Sequence, residues 1–468
     1  MSLVTQATVV PPQRGDAGPL VDGLPETLRG IVHLPGTAAY DAHVTPWMLA
    51  VPMQPAAVVA ARTARDVVAA VRLAADRRWT VGVQATGHGA VSSLAGHLLV
   101  STKGLDEVTV HPDGWARVGA GVKWLRVIEA AAPLGLAPLN GSTSDVGVVG
   151  YTTGGGVGPL ARTHGLAADR VRAFDVVTGD GVLRRVTPTE HPDLFYALRG
   201  GKGTAGIVTA VEFDLLPLRA FYGGAVYFDG ADAAAVVDRW RRWSEQLPEQ
   251  GTTSFALFRM PAMPGVPPQL SGRLSVAVRL VWTGEPDDGA RFLDEMRTAA
   301  PVLLDDAAVK PYTAVDSVHA DPVDPMPAID PALLLTDFPA EAATRLLDVT
   351  GPGSASTLPM VEVRQLGGAY AREGQHPAAF DHRAARYSVL VIGMADDPGA
   401  HPRAAALFAS LAAWDTGGIW PNFGPAHDAA TARRAYAPAT LERLAAVSRR
   451  YDPQGVLQAG SAVRDALG

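Results

Sequence analysis

Apolar positions in this chain switch between a period of two and a period near 3.6, and the switches mark its elements. Residues 1–50 hold no sustained pattern: Leu34-Pro35-Gly36 breaks the chain, and Tyr40-Asp41 opens a short helical stretch. From Pro55 the signals sharpen. Ala57-Val58-Val59 reads as a strand, and Thr63-Ala64-Arg65-Asp66 as a capping box opening a helix with Val67, Val68, Val71 and Ala75 on one face. Val81-Gly82-Val83 then runs straight into the turn Thr86-Gly87-His88-Gly89. Strands follow at Leu98-Leu99-Val100 and Val108-Thr109-Val110, with a hairpin at Pro112-Asp113-Gly114 before Trp115–Val118 and a helix over 122–132. Beyond the glycine-rich stretch 141–158, the pattern predicts a hairpin of 171–177 with 182–186, a helix at 193–199, a flexible turn at Gly200-Gly201-Lys202-Gly203 and a strand at 207–216.

The texture changes after Pro217. Strands at 225–228, 254–258, 274–282, 359–365 and 387–394 are separated by helical patterns near 231–247, 286–299 and 401–413, which reads as a sheet layered with helices. Residues 419–468 carry a helix at 439–450 but no strand, and are expected to return to the first part of the chain.

Composition narrows the class. The chain has 468 residues, 47% of them apolar and 19% charged, enough for a substantial core and too apolar for disorder. Forty basic against 47 acidic residues give a net charge of −7 with no basic run, which argues against nucleic-acid and anionic-membrane partners. There is no cysteine, so disulfides, thiolate nucleophiles, iron–sulfur clusters and cysteine zinc sites are excluded. Met1-Ser-Leu-Val-Thr-Gln-Ala lacks a signal-peptide pattern, and no apolar run is long enough to span a bilayer; the expectation is a soluble cytoplasmic protein.

Two glycine elements carry the candidate chemistry. At Gly87 and Gly89 the missing Cβ permits positive φ and lets backbone N–H groups approach a pyrophosphate, with His88 beside it. A lone Gly-His-Gly more often marks a satisfied histidine in an ordinary turn, so the rest of the chain decides. The stretch 141–158 is too small and too apolar for a solvated linker; it clears space either for a bulky ligand or for close backbone packing at a domain seam. Gly156-Val-Gly158-Pro-Leu-Ala161 satisfies a dinucleotide fingerprint, with Asp175 downstream, but no buried strand precedes it, which argues against a Rossmann fold. The histidines show no zinc-hydrolase spacing. A binding module without catalysis is the non-enzyme alternative.

Taken in order, these motifs resemble the flavin oxidoreductases of the para-cresol methylhydroxylase and vanillyl-alcohol oxidase superfamily, on the berberine-bridge-enzyme-like branch. The carriers are Pro55–Val59, the Gly87-His88 turn, Val118-Gly119-Ala120-Gly121-Val122, Val146–Gly150 with Gly154–Gly158, His164–Asp169, Asp193–Gly201 and Tyr451-Asp452-Pro453. The resemblance implies an α+β fold: a two-subdomain FAD-binding domain over 51–220, preceded by a lead-in at 1–50 and rejoined by 416–468. A substrate domain at 221–415 would place an antiparallel sheet, covered by helices, over the isoalloxazine. It further implies FAD attached covalently through His88, with Thr86, Gly87, Gly89, Ala90, Thr143, Asp145, Val146, Gly150, Tyr151, Gly154, Gly155, Gly158, Gly206, Val208 and Asn422 around the cofactor. Many members carry a second glycine where Thr86 stands. Bicovalent relatives add a cysteine where Thr143 stands, so a single link is expected here.

The implied reaction is hydride transfer from a small organic substrate to flavin N5 with dioxygen as acceptor. A dehydrogenase or an oxygenase acting on a biosynthetic intermediate is the alternative, and the assembly is expected to be a monomer or homodimer. Relatives use the tyrosine of a Tyr-x-Asn element as base, but this chain has Trp420-Pro421-Asn422. On the strand 361–365, Glu362 and Arg364 share a face, which is expected to supply polar groups to the substrate side; a solvated face or structural ion pairs are the other readings. Glu362 is the candidate base, provided burial raises its pKa; Tyr370 is second, ahead of Tyr151 and the histidines.

Overall fold

The computed structural model describes residues 24–424 and 427–467; the expected absence of a signal peptide at residues 1–7 concerns residues outside them. Three sheets organise the chain. The first is built from β1 (Val32–His33), β2 (Ala57–Ala60), β3 (Val81–Gln84) and β4 (Leu98–Ser101) in the order β1-β2-β4-β3. β4 pairs in parallel with both β2 and β3, while β1 is antiparallel to β2. Ahead of β2 stands helix α1 (Ala38–Val44), and α2 (Ala64–Arg77) makes the crossover from β2 to β3. The capping box at its start is complete: Asp66 N–H donates to Thr63 Oγ1 at 3.2 Å and Thr63 N–H to Asp66 Oδ2 at 2.9 Å. Val67, Val71 and Ala74 of α2 pack on Val59 and Val100, together with Val456 and Leu457 from the far end of the chain. Val81 N–H also donates to Val456 O at 2.7 Å.

The second sheet is antiparallel, with β5 (Val108–His111), β6 (Trp115–Gly119), β7 (Val171–Thr178), β8 (Leu183–Val186) and β9 (Gly206–Asp214) in the order β5-β6-β9-β7-β8. Helices α3 (Trp124–Ala131), α4 (Val148–Thr153), α5 (Ala161–His164) and α6 (Pro192–Leu198) lie along it. Trp124, Val148, Phe174, Phe195 and Phe213 meet in its core. The three residues before Gly154 end a short helix rather than a strand, which is the context that a Rossmann fingerprint lacks.

The third sheet is larger and antiparallel. It comprises β10 (Ala220–Asp229), β11 (Gly251–Arg259), β12 (Leu274–Trp282), β13 (Val302–Asp305), β14 (Ala308–Pro311), β15 (Ala328–Ile329), β16 (Ala332–Leu335), β17 (Met360–Gln365) and β18 (Tyr387–Met394). Its main path runs β13-β10-β12-β11-β17-β18-β15. α7 (Ala233–Glu245), α8 (Pro286–Arg297), α9 (Ala340–Thr350) and α10 (Ala400–Ser410) supply Trp240, Trp243, Leu293, Leu346 and Leu407 to the core under one face, where they pack on Phe255, Val278, Val361 and Val363. The period of two therefore turns Ser254, Arg279, Glu362 and Arg364 to the opposite face. α11 (Ala429–Ala435) and α12 (Pro438–Tyr451) then pack Ala432, Leu441 and Leu444 into the core of the second sheet. No helix among the described residues is long and apolar enough to cross a membrane.

The end of the glycine element is clamped to the third sheet by one side chain. Arg162, on α5, donates from Nε to Gly251 O at 2.8 Å, from Nη1 to Leu366 O at 2.5 Å and from Nη2 to Leu247 O at 2.9 Å. Replacing it would leave three buried carbonyls without a donor. Arg162→Met is expected to lower stability by about 3 kcal/mol, measured by urea unfolding, with Arg162→Lys recovering part. A loss below about 1 kcal/mol would show that water replaces the clamp.

Candidate functional site

The Gly-His turn is built by backbone crowding. Gly87 has φ +80°, and a Cβ there would lie 2.5 Å from Pro46 Cα, so only glycine fits. Trp47 N–H donates to Thr86 O at 2.9 Å and Met48 N–H to Gly87 O at 3.3 Å, fixing the turn against the lead-in. The Trp47 indole stacks on the His88 imidazole, centroids 4.5 Å apart and planes 13° from parallel. Thr86 Oγ1 lies 2.8 Å from His88 Nδ1, so the residue standing where relatives carry a glycine orients the ring. Ala90 N–H closes the turn onto Gly87 O at 3.2 Å. A Cβ at Gly89 would meet no atom within 4 Å.

His88 Nε2 is buried and, among the described residues, has no hydrogen-bond partner. Its nearest charge is Asp145 Oδ2 at 3.9 Å, and the other oxygen of that carboxylate accepts from Lys123 Nζ at 2.5 Å. Burial pushes the imidazole pKa down to about 4; Asp145 opposes the shift and Lys123 adds to it. The ring is therefore neutral at pH 7, the form that is nucleophilic.

The second glycine element meets this turn directly. Thr143 Oγ1 accepts from Asp145 N–H at 3.3 Å, Val146 O accepts from Trp124 N–H at 3.1 Å, and a Cβ at Gly147 would sit 3.6 Å from Ala85 and Thr86 side chains. Around Gly150 there is open space, whereas Gly154, Gly155 and Gly158 are crowded by protein: Asn422, Phe380 and the Asn140 carbonyl stand 2.1, 2.5 and 2.0 Å from where a Cβ would be. The glycine run thus serves both uses, clearance at Gly150 and close packing further on. Tyr151 is buried, donates to Asn140 O at 3.1 Å, and has its phenol pKa raised by burial. Gly206 and Val208 lie at the start of β9, paired with β7 and in contact with α4.

Lys202 stands within the glycine turn Gly200-Gly201-Lys202-Gly203, whose pattern by itself marks only flexibility. It holds φ +56° without being glycine. Its Nζ donates to Gly150 O at 2.9 Å and to Asn422 Oδ1, while Asn422 Nδ2 donates to Tyr151 O at 3.0 Å. Burial of the amine pushes its pKa down to about 7, so its charge changes near neutral pH. The signal in the sequence was a lysine inside a glycine turn, in a chain whose other lysines are Lys103, Lys123 and Lys310.

The strand-face candidates differ from expectation. Glu362 accepts from Ser254 Oγ at 2.7 Å, Arg279 Nη1 at 2.8 Å and Arg364 Nη2 at 3.1 Å, with His319 Nε2 at 3.5 Å. Burial alone would raise its pKa, but Arg364 first, then the His319 contact and Arg279, hold it well below the usual carboxylate range. The raised pKa that a general base requires is therefore absent, and the carboxylate is pinned in buried ion pairs rather than solvated. Tyr370 is fully buried, donating to His382 O at 2.5 Å and accepting from Trp420 Nε1 at 3.1 Å. Burial raises its phenol pKa, and it packs with Val157, Phe380 and Trp420 rather than with Glu362.

The sequence pattern of an FAD binding domain matches residues 55–187. Among curated proteins, the chain is 36% identical over 176 residues to the FAD-dependent monooxygenase FUP4 of Fusarium proliferatum, a match covering 37% of this chain and 34% of that protein. It is 30% identical over 197 residues to the (R)-6-hydroxynicotine oxidase of Paenarthrobacter nicotinovorans, covering 42% and 43%. Each match spans less than half the length of the curated relative. Among solved structures, 6-hydroxy-D-nicotine oxidase from Arthrobacter nicotinovorans aligns with a TM-score of 0.79 at 25% identity, over 93% of this chain and 97% of that one. Glucooligosaccharide oxidase from Acremonium strictum, described with a 6-S-cysteinyl, 8α-N1-histidyl FAD, gives 0.79 at 20% identity over 92% and 96%, a likeness of fold alone.

The amine corner is testable by itself. Competitive acetylation of Lys202 by acetic anhydride, followed by peptide mass spectrometry against free lysine, is expected to titrate with a midpoint near pH 7. Reactivity that keeps climbing to about pH 10, the ordinary lysine range, would overturn the assignment.

Proposed function

We propose, taking as premise that the chain belongs to the FAD-linked oxidoreductases of the para-cresol methylhydroxylase type on their berberine-bridge-enzyme-like branch, that it is an FAD-dependent oxidase. In this reading, residues 51–220 with 416–468 hold the flavin through a single covalent link at His88, and 221–415 form the substrate side. The observation that carries it is the imidazole itself: neutral, oriented by Thr86 and Trp47, with a buried Nε2 left without a partner. The open space around Gly89 and Gly150 is compatible with a bulky group.

A flavin held at His88 would supply two-electron redox chemistry, with a small organic substrate as hydride donor and dioxygen as the acceptor that becomes hydrogen peroxide. The protein's own groups have separable tasks. With Nε2 as the attacking nitrogen the ring proton stays on Nδ1, donated to Thr86 Oγ1 at 2.8 Å, and the Asp145 carboxylate at 3.9 Å offsets the positive charge that the ring gains as the bond forms. Trp47 covers one imidazole face and limits water on that side. Thr143 stands where bicovalent relatives carry cysteine, and a chain without cysteine forms no thioether. Glu362, ionised and fixed, orders Arg279 and Arg364 rather than exchanging a proton. The names of curated relatives such as the Fusarium proliferatum monooxygenase favour a second reading, oxygen insertion.

Acid precipitation tests the link. The parent protein is expected to keep its yellow colour in the pellet and His88→Ala to release it; complete release from the parent would overturn the covalent assignment. Stopped-flow mixing of reduced protein with oxygen tests the acceptor: reoxidation should scale with oxygen and yield peroxide. Slow reoxidation would exclude an oxidase, and incorporation of ¹⁸O from labelled dioxygen into product would favour the second reading.

A further inference from the structure

Opposite its helix-covered face, the third sheet carries more positive than negative charge. Arg279, Arg364 and Glu362 are all buried, at 2%, 7% and 3% exposure. His319 beside them is held neutral, its pKa lowered chiefly by burial and then by Arg279. Two guanidiniums thus share one carboxylate. Among the described residues, no acidic side chain other than Glu362 lies within ion-pair distance of either arginine. Asp316, in the 3-10 helix Tyr312–Val318, accepts instead from Ser144 N–H at 3.0 Å and Ser144 Oγ at 2.5 Å. A buried, uncompensated cation is costly, and an anion bound beside it would offset that cost.

The unused donors show where that anion fits. Arg279 spends Nη1 on Glu362 and Nη2 on His319 O, and its Nε is buried without a partner, as is His319 Nδ1. The space next to these atoms, lined by Ser254, Arg279, His319 and Arg364, is about 10 Å³, which suits no more than about one water. Arg364 differs. Its hydrogen bonds among the described residues all leave from Nη2, to Ser142 Oγ at 2.8 Å, to Glu362 and to His319, so Nε and Nη1 remain unengaged. That bond to Ser142 also brings the guanidinium onto the glycine element, close in sequence to Thr143 and Asp145.

The surroundings are apolar. Phe258, Met360, Ala256 and Ala277 form a cluster on this face, with Tyr227, Met260, Leu390 and Ile392 only partly buried against it. Arg279 lies over the Phe258 ring at 5.1 Å. An anion socket beside partly covered aromatic and aliphatic side chains selects a ligand with an acidic oxygen on a hydrophobic body.

We infer that the substrate is a hydrophobic, ring-containing organic acid, whose carboxylate or acidic enol is bound by the unengaged Nη1 of Arg364 while its body lies on the Phe258–Met360 patch. The inference rests on the flavoenzyme reading, since it places the ligand opposite the glycine element. Glu362 then serves as the positioning residue that holds both guanidiniums in place.

Purified holoprotein is titrated with 1-naphthoate and, separately, with 1-naphthamide, read by flavin difference absorbance and independently by thermal shift. Naphthoate is expected to bind at least about tenfold more tightly than the amide, the scale of a single charge-assisted hydrogen bond. Arg364→Met is expected to reduce that preference below about twofold, and Arg364→Lys to retain part of it, because an ammonium keeps the charge but not the planar guanidinium that Ser142 and Glu362 hold in place. Equal binding of acid and amide, or a full preference kept in Arg364→Met, overturns the inference. The parent comparison decides the matter even if a variant fails to fold. A protein that purifies without flavin would instead overturn the flavoenzyme reading, and only a flavoprotein indifferent to the acid speaks against the anion socket.

Discussion

Gly87 is the point on which the site's geometry depends. Its left-handed backbone lets the turn press against Pro46, close enough that any side chain at 87 would collide with the main chain. That approach is what permits the paired hydrogen bonds between residues 47–48 and 86–87, and these in turn bring the Trp47 indole over His88. The same lead-in segment reaches the part of the chain that carries the third sheet: Leu49 N–H donates to Met326 O at 3.0 Å and Trp47 Nε1 to Val323 O at 3.0 Å. One glycine thus fixes a ring, and a short stretch of chain ties that ring to both halves of the molecule.

The charges are divided in a way that follows from burial. Near His88, the Asp145–Lys123 pair stays close enough to feel the ring but does not protonate it, because desolvation outweighs the carboxylate at 3.9 Å. On the sheet opposite, desolvation of Glu362 loses to its arginines, so the acid stays ionised and an excess positive charge remains. The same burial gives opposite outcomes because one site has a single distant counter-charge and the other has contacts near 3 Å.

Much of the scaffold was legible in local chemistry. The capping box at Thr63–Asp66, the Pro112–Gly114 hairpin and the long strands of the third sheet all announce themselves by residues that satisfy their own backbone. What was missed lacked such signals. β13 and β14 are half-exposed edge strands with Val302 and Val309 in solvent, so no alternation marks them. α9 starts from Pro339 with no side-chain cap, and α4 begins at Gly147 inside a glycine run. The fate of Glu362 was unreadable for another reason: Arg279 and His319 come from other elements and join Arg364 in lowering its pKa. Sequence pattern reports which face a side chain takes, and not who meets it there.

Trp420 shows how one replacement redistributes a corner of the site. Where relatives carry a phenol two residues before the asparagine, the indole here donates to Tyr370, whose own proton goes to the His382 carbonyl. That relay ends on an acceptor with no proton to give, so Tyr370 is held in place and protonated. Asn422 keeps its position through Tyr151 O and Lys202, and Lys202 also grips Gly150. The titratable group in this corner is consequently an amine rather than a phenol. A phenol gains negative charge as pH rises, whereas this amine loses positive charge, and does so near pH 7 rather than near 10. The electrostatic response of the corner to pH has therefore kept its sign, each proton lost making it more negative, but has moved into the neutral range, where it acts on whatever Gly150 and Asn422 face.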